Sequence, residues 1–401
     1  MNFVLCAEGL SMDVGVDARS LGPMKTGVGI YLSQVLRHWP ASHSPDRFQL
    51  FSHRVPSLPE TAAVCHDVAA RRWGLPWYLF ESHRRISGRQ LTLFWGAQGL
   101  LPLQLPKALP AVVTIHDCIH QQGVRFAPSL LYNWAHRWML PVAVRRADKV
   151  LAVSRFVADE AMRHLGVQAA KIEVTQLGVS AEFFADSGEA INGSAVVRHQ
   201  PEGPNRHSLN VLGKHRIGEF FILGVGTLEP RKNLKTLLRA YTRLPSRLQS
   251  KFQLVLAGKP GWGTAELRRY LDIHPQRSQF VLTGYVDDED LRALYASASM
   301  FVFPSFYEGF GLPVLEALAS GCPVIASSAA ALKEVAGPAA IFVDPNASPE
   351  VWSQAIARVA ESDDLKRSLA TAGPARARCF SWETCARQTA GVFSDAAGGR
   401  A

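Results

Sequence analysis

None of the six cysteines (Cys6, Cys65, Cys118, Cys322, Cys379, Cys385) stands at C-x-x-C spacing to another. That spacing is what a zinc site or a dithiol redox motif would use, so free thiols in a reducing compartment are expected instead. No apolar run reaches the roughly 18 to 20 residues of a membrane-spanning helix, because Gly, Pro, Ser or a charge interrupts each one. The opening MNFVLCAEGLS has no basic n-region and carries Glu8, which makes it a poor secretory signal and leaves the cytoplasm as the expected location. Helix-turn-helix, zinc-finger and RNP patterns are also missing, so nucleic acid is not expected as a partner although the chain is basic.

What is present is globular. Hydrophobic residues make up 47% of the 401 and charged residues 19%, and the length favours two domains. The formal charge of +9 points to an anionic partner, for which nucleotide diphosphates and lipid headgroups both qualify.

Short β-rich runs alternate with helical segments in the second half: EFFILGVG (219–226), FQLVLAG (252–258), QFVLTG (279–284), MFVFPS (300–305), CPVIAS (322–327) and AAIFV (339–343). This alternation predicts a parallel, doubly wound α/β sheet. The first half repeats it less cleanly, with DVGVDAR (13–19), FQLFSH (48–53), AVVTIHD (111–117), KVLAVS (149–154) and KIEVTQLG (171–178). Two Rossmann-like domains are therefore expected over 1–185 and 209–380, joined by the polar, aperiodic linker or insertion 186–208. The C-terminal helix 381–398 is expected to return to the first domain. Residues 1–11 add no recognisable element, so a chain beginning at Met12 is expected to fold and work.

Ligands of such sheets bind off the carboxyl ends of the strands, and the motifs there carry chemistry. GVGTLEPRKNLKTLLRAY (224–241) leaves a strand through glycines, turns at Pro230, and places Arg231 and Lys232 at the mouth of a helix. Cations oppose the dipole at a helix start, so a bound diphosphate is the reason to expect them there. The GVG start is not a dinucleotide fingerprint, since the third glycine position is Glu229 and Pro230 follows. SFYEGFGLPVLEALASG (305–321) then sets Glu308 in a glycine turn and Glu316 one turn into the next helix, with Pro313 in its first turn. Glu308 suits sugar hydroxyls and Glu316 a vicinal diol. Taken alone, Glu316 reads as an ordinary helix-terminal charge; the pair with the glycine turn is far more specific.

TIHDCIH (114–120) gathers His116, Asp117, Cys118 and His120, but ligands packed this tightly rarely close a tetrahedral site, and no metal is expected. DDED (287–290) reads as the cap of the following helix. KTGVGIYL (25–32) is a glycine turn, weak as a signal alone. RRWGLPWYLFESHRRISGR (71–89) mixes Arg71, Arg72, Arg84, Arg85 and Arg89 with Trp73, Trp77, Tyr78 and Phe80. It reads either as an interfacial helix that docks on an anionic membrane surface or as a core helix with a solvated basic face.

Taken together, YEGFGLPVLEALASGCPVIAS, VGTLEPRKNL, GYVDDEDLRALYASA and TIHD resemble a family GT4 retaining glycosyltransferase of the GT-B fold, in the bacterial mannosyltransferase-like branch of polysaccharide and O-antigen assembly. The resemblance runs from GVDARSL to FSWETCARQTAGVF. It implies that Glu308 and the positions Gly309, Phe310, Gly311 and Leu312 face the donor hexose and diphosphate. Glu316 would hold the ribose, Arg231 and Lys232 the diphosphate, and His116 would lie beside the transferred sugar. Only through this resemblance is it implied that the amides at Gly27 and Gly29 reach donor phosphates or the acceptor. Thr227 stands where many relatives carry Arg, a charge that Arg231 would replace. The implied substrates are a nucleotide diphosphate sugar, GDP-mannose favoured, and a glycan or polyprenyl-linked acceptor, with no cofactor. Same-face attack by the acceptor is the expected route to retention, and a covalent Glu308 intermediate is its alternative. An epimerase of the same fold and a non-catalytic sugar-nucleotide-binding subunit are the other readings.

Overall fold

The computed structural model describes residues 11–399, apart from 25, 44–45, 59–62, 70–73, 123–129 and 185–205. The expectations about Arg71, Arg72 and Trp73, and most of those about 1–11 and the linker, lie outside the described residues.

Runs such as AVVTI, MFVF and VIAS are apolar or small at every position rather than at alternate ones, and every residue in them is buried. Strands buried on both faces belong to parallel sheets covered by helices on either side. The first sheet contains β1 (Asp13–Asp17), β2 (Arg47–Ser52), β3 (Val64–Val68), β4 (Leu93–Gly96), β5 (Ala111–Ile115), β6 (Lys149–Ala152) and β7 (Ile172–Val174). Its order is β3-β2-β1-β4-β5-β6-β7, all parallel. The second contains β8 (Phe221–Val225), β9 (Gln253–Ala257), β10 (Phe280–Gly284), β11 (Met300–Phe303), β12 (Val324–Ser327) and β13 (Ala340–Val343). Its order is β10-β9-β8-β11-β12-β13, again all parallel. β3, with the mixed VCHDV, and β4, only four residues long, are absent from the strands expected from sequence.

The chain forms two compact units, residues 1–178 with 381–401, and 179–380. The helix Trp382–Gly398 lies against the helix Gly27–Arg37 and strands β4 to β6 of the first unit. Its Phe393 ring meets Trp39 at 5.4 Å and Trp95 at 5.2 Å. The returning chain passes so close to Gly178 that a Cβ there would sit 2.2 Å from the Trp382 amide nitrogen.

The crossing at Gly178–Val179 precedes the linker on which the sequence placed it. Local packing accounts for the difference. Val179 N donates to Phe380 O at 3.3 Å, the Phe183 ring meets Tyr295 edge-on at 6.1 Å, and Arg378 covers the Phe184 ring at 5.4 Å. Residues 179–184 are thereby bound to the second unit. Among the described residues, no helix is long and apolar enough to cross a membrane.

Candidate active site

The second sheet reverses its strand order between β8 and β11, which are hydrogen-bonded neighbours. The loops leaving their carboxyl ends therefore diverge from a crevice, the place where open α/β sheets bind ligands. The loop after β8 carries Arg231 and Lys232, and the loop after β11 carries Glu308.

The chain after β8 differs from the expected helix mouth. Pro230–Lys232 form a single 3-10 turn, and the α-helix Leu234–Tyr241 begins only after Asn233, which is left-handed at φ 54°. Asparagine tolerates that conformation better than most residues. Here it is also held by its Nδ2 donating to Pro345 O at 3.0 Å and by Thr236 Oγ1 donating to its Oδ1 at 2.7 Å. The two cations thus precede the helix instead of opening it, and Lys232 turns inward, 7% exposed. Gly226, at φ 136°, makes room: a Cβ there would lie 3.2 Å from Lys232 Cε.

Lys232 Nζ donates to Glu308 Oε1 at 2.7 Å and sits 4.8 Å from the centre of the Phe303 ring. Arg231 Nη1 donates to Glu308 Oε2 and to Tyr307 O, both at 2.9 Å, and its Nε donates to Glu229 Oε1 at 3.0 Å. Ser305 Oγ adds a 2.6 Å bond to Glu308 Oε1. Burial works against ionisation of Glu308, but Arg231 and then Lys232 outweigh it and bring its pKa down to about 2. Burial also lowers the pKa of Lys232, an effect that the charge of Glu308 opposes. The result is a dehydrated carboxylate clamped between two cations.

From Glu308 the chain runs through Gly309 and Phe310 to Gly311, then enters the helix Leu312–Ala319. Gly311 is at φ 111°, and a Cβ there would fall 2.4 Å from Leu332 Cδ2. No other residue fits the turn without displacing a fully buried leucine. The Phe310 ring is buried edge-on to Phe380 at 5.9 Å, and Leu312 is buried at the helix start. Glu316 is 8% exposed, and its Oε2 accepts from Tyr295 Oη at 3.1 Å. Burial raises its pKa to about 7, opposed by the tyrosine and assisted by Asp288. The two glutamates are therefore in opposite electrostatic states, one paired with cations and one without. Thr227 lies beside the loop after β9, its Cγ2 2.8 Å from where a Gly261 Cβ would stand.

In the first unit the order reverses between β1 and β4. His116 follows β5, and its Nε2 lies 2.8 Å from Ala97 O. A carbonyl only accepts, so in this ring orientation Nε2 carries the proton and Nδ1 keeps its lone pair. Burial lowers the His116 pKa, with the Ala97 bond and Asp117 opposing it. Its ring packs edge-on to Tyr31 at 5.0 Å. Asp117 turns back to accept from Ile119 N at 3.2 Å, and Cys118 is fully buried.

At the start of the helix Gly27–Arg37, the expected role of Gly29 needs correction. Its amide is taken by Thr26 Oγ1 at 3.2 Å, and a Cβ would meet Ser20 O at 2.6 Å, so this glycine serves the turn itself. Gly27 faces open space. Nearby, the sequence did not single out Asp17, which is fully buried and accepts from Arg19 Nε at 2.8 Å, Arg19 Nη2 at 2.7 Å and Gln98 Nε2 at 2.9 Å.

The basic, aromatic stretch resolves to a core helix, and DDED caps a helix as expected. Trp77 and Tyr78 are buried, with Tyr78 Oη donating to Leu100 O at 2.9 Å, so these aromatics are core, whereas Phe80, the other aromatic of that helix, is exposed. Arg85 and Arg89 pair with the buried Asp67. In DDED, Asp287 Oδ1 caps the helix Asp288–Ser297 by accepting from Asp290 N at 2.8 Å, and Asp290 takes Lys214 Nζ at 2.7 Å. Among the described residues, no three His, Cys, Asp or Glu side chains gather as metal ligands would.

Two parallel-sheet Rossmann-like domains of this order make up the GT-B class of glycosyltransferase folds. The crystal structure of Anabaena HepE in complex with UDP-glucose matches with a TM-score of 0.73 at 18% identity, covering 96% of this chain and 100% of that one. A model described as Glycosyltransferase Family 4 matches residues 26–183, and one described as Glycosyl transferases group 1 matches 213–376. The O-antigen chain mannosyltransferase B of Escherichia coli is 30% identical over 387 residues, 92% of this chain and 96% of its own length. The MMP alpha-(1->4)-mannosyltransferase of Mycolicibacterium hassiacum is 31% identical over 309 residues, 73% of this chain and 67% of its own. The chain belongs to the family 4 glycosyltransferases, as its motifs predicted.

Proposed function

We propose that this glycosyltransferase moves a mannosyl unit from GDP-mannose to a glycan or polyprenyl-linked acceptor in O-antigen-type polysaccharide assembly, with retention at the anomeric carbon and without a divalent metal. The observation that carries the reading is the buried cluster of Glu308, Lys232 and Arg231 at the β8/β11 crevice. The names of the Escherichia coli and Mycolicibacterium relatives support mannose and the polysaccharide setting.

The chemistry follows from charge. As the bond from C1 to the phosphate oxygen breaks, negative charge grows on the diphosphate, and two fixed cations beside it lower the barrier. Lys232 has three N–H donors, and the diphosphate competes with Glu308 for them. The lone pairs left on Glu308 accept from hexose hydroxyls, and Glu316 accepts from the ribose. The acceptor hydroxyl forms its bond to C1 on the face the phosphate leaves, and its proton passes to the departing phosphate oxygen. A carboxylate with a pKa near 2 that is already bonded to two cations is a weak nucleophile, which favours this route over a covalent Glu308 intermediate.

The test is incubation of the protein with GDP-mannose, and separately UDP-glucose, with and without a mannosylated or polyprenyl diphosphate-linked acceptor, in EDTA. Acceptor-dependent release of GDP and an α-linked product by NMR are expected. Change of the sugar without acceptor would make the protein an epimerase, and binding without turnover a non-catalytic subunit. Activity restored only by magnesium or manganese would overturn the metal-free mechanism.

A further inference from the structure

We propose that Tyr295 is a positioning residue for nucleotide recognition: its hydroxyl fixes one oxygen of Glu316 so that the other is turned to the ribose diol. The inference rests on the ribose role given to Glu316 above.

Tyr295 lies on the helix Asp288–Ser297, between β10 and β11, whereas Glu316 lies on the helix after β11. The tyrosine is fully buried, with its ring edge-on to Phe183 at 6.1 Å and to Phe301 at 5.5 Å. Two ring contacts and a two-torsion side chain leave the hydroxyl little freedom, and it donates to Glu316 Oε2 at 3.1 Å. Burial keeps the phenol protonated far above neutrality, so it remains a donor.

The carboxylate it meets is short of partners. Glu308 receives two cations and a hydroxyl, but among the described residues Glu316 has no cation within ion-pair distance and no donor besides Tyr295. A buried carboxylate with one hydrogen bond retains acceptor capacity that the protein does not satisfy. Glutamate has three side-chain torsions, so an untethered Glu316 would have to be ordered by the ligand at the moment of binding, at a cost in affinity. The tyrosine removes that cost beforehand.

The experiment is calorimetric titration of the full chain with GDP and with 2′,3′-dideoxy-GDP, and in parallel with UDP and its dideoxy analogue. Wild type should prefer the ribonucleotide by about tenfold or more. Tyr295→Phe should lose about fivefold to tenfold for the ribonucleotide and little for the dideoxy analogue. In turnover, KM for the donor should rise while kcat stays near its original value. Equal loss for both ligands, or no loss, would overturn the inference. If wild type and Glu316→Gln discriminate equally between the two ligands, the ribose assignment itself fails. Should Tyr295→Phe not fold, incorporation of 3-fluorotyrosine at position 295 keeps the shape and strengthens the donor. A changed ribose preference then supports the inference and an unchanged one overturns it.

Discussion

Lys232 and Glu308, 76 residues apart in the chain, meet at 2.7 Å with both side chains almost wholly out of water. Their meeting depends on β8 and β11 being neighbours in the sheet. Lys232→Met removes a fixed cation from the leaving group and should lower kcat by about 10²- to 10³-fold. It should also flatten the fall of stability in acid. Glu308 has a folded pKa below its ordinary value of 4.5, so its stabilisation is present above about pH 4.5 and is lost as pH falls towards 2. With Lys232 gone the folded pKa rises towards 4.5, so Glu308 contributes less above pH 4.5 and less is lost in acid. Steady-state kinetics and circular dichroism between pH 2 and 6 check both outcomes.

Glu316 has the opposite dependence. Its folded pKa is raised from 4.5 to about 7, so its contribution is fully present below about pH 4.5 and is lost as pH rises through 7, when a buried carboxyl must ionise. At roughly 1.4 kcal/mol per unit, the difference across that window is about 3 kcal/mol. Glu316→Gln should remove this slope, unfolding in urea at higher denaturant than wild type at pH 8 and at a similar concentration at pH 5. Nucleotide affinity should rise with pH through 7 in wild type and stay flat in the variant. A wild-type stability that is level from pH 5 to 8 would contradict this account.

Two glycines should respond differently to a methyl group. Gly311→Ala meets both a left-handed backbone and Leu332, and should cost about 1 to 3 kcal/mol together with most of the activity. Gly27→Ala enters open space and should leave thermal stability within about 1 kcal/mol. A loss of turnover in that folded variant would place substrate at Gly27, and unchanged turnover would remove the position from the site.

The membrane expectation moves to other residues. Residues 51–150 hold 12 Lys and Arg against 5 Asp and Glu, a surplus of seven in a chain of +9. With Trp77 and Tyr78 in the core, the exposed large aromatic side chains among the described residues here are Phe80 and Trp138, the latter one helical turn from the exposed Val142. Trp138→Ser with Val142→Ser, and separately Arg84→Glu with Arg85→Glu, should each reduce co-sedimentation with anionic vesicles, and added salt should release the wild type. Equal binding to neutral vesicles would rule out the electrostatic part.

Much of the candidate site was legible because its residues stand at strand ends in short stretches with unusual chemistry. Two cations before a helix, and a carboxylate within a glycine turn, have few purely structural uses. The sequence could not show that Asn233 interrupts the chain ahead of the helix, since a left-handed asparagine reads like any other. Tyr295 was hidden for a related reason: at helical spacing it is one more apolar core residue, and only its partner shows what the hydroxyl does. Trp77 and Tyr78 failed as surface residues because a basic, aromatic helix has the same composition whether its rings face lipid or a sheet. The crossing at Gly178 carried no compositional cue, being fixed by contacts with Phe380, Tyr295 and Arg378 far along the chain.

The cysteines offer a use of their own. Cys118, Cys322 and Cys385 are buried, and burial raises their pKa values well away from thiolate reactivity. Cys65 and Cys379 are exposed, the first on β3 of one unit and the second near the end of the other. Once Cys6 is replaced, a maleimide dye pair should mark one position in each unit without engineered thiols. Single-molecule energy transfer between the dyes would then report whether donor and acceptor change the separation of the two units during turnover.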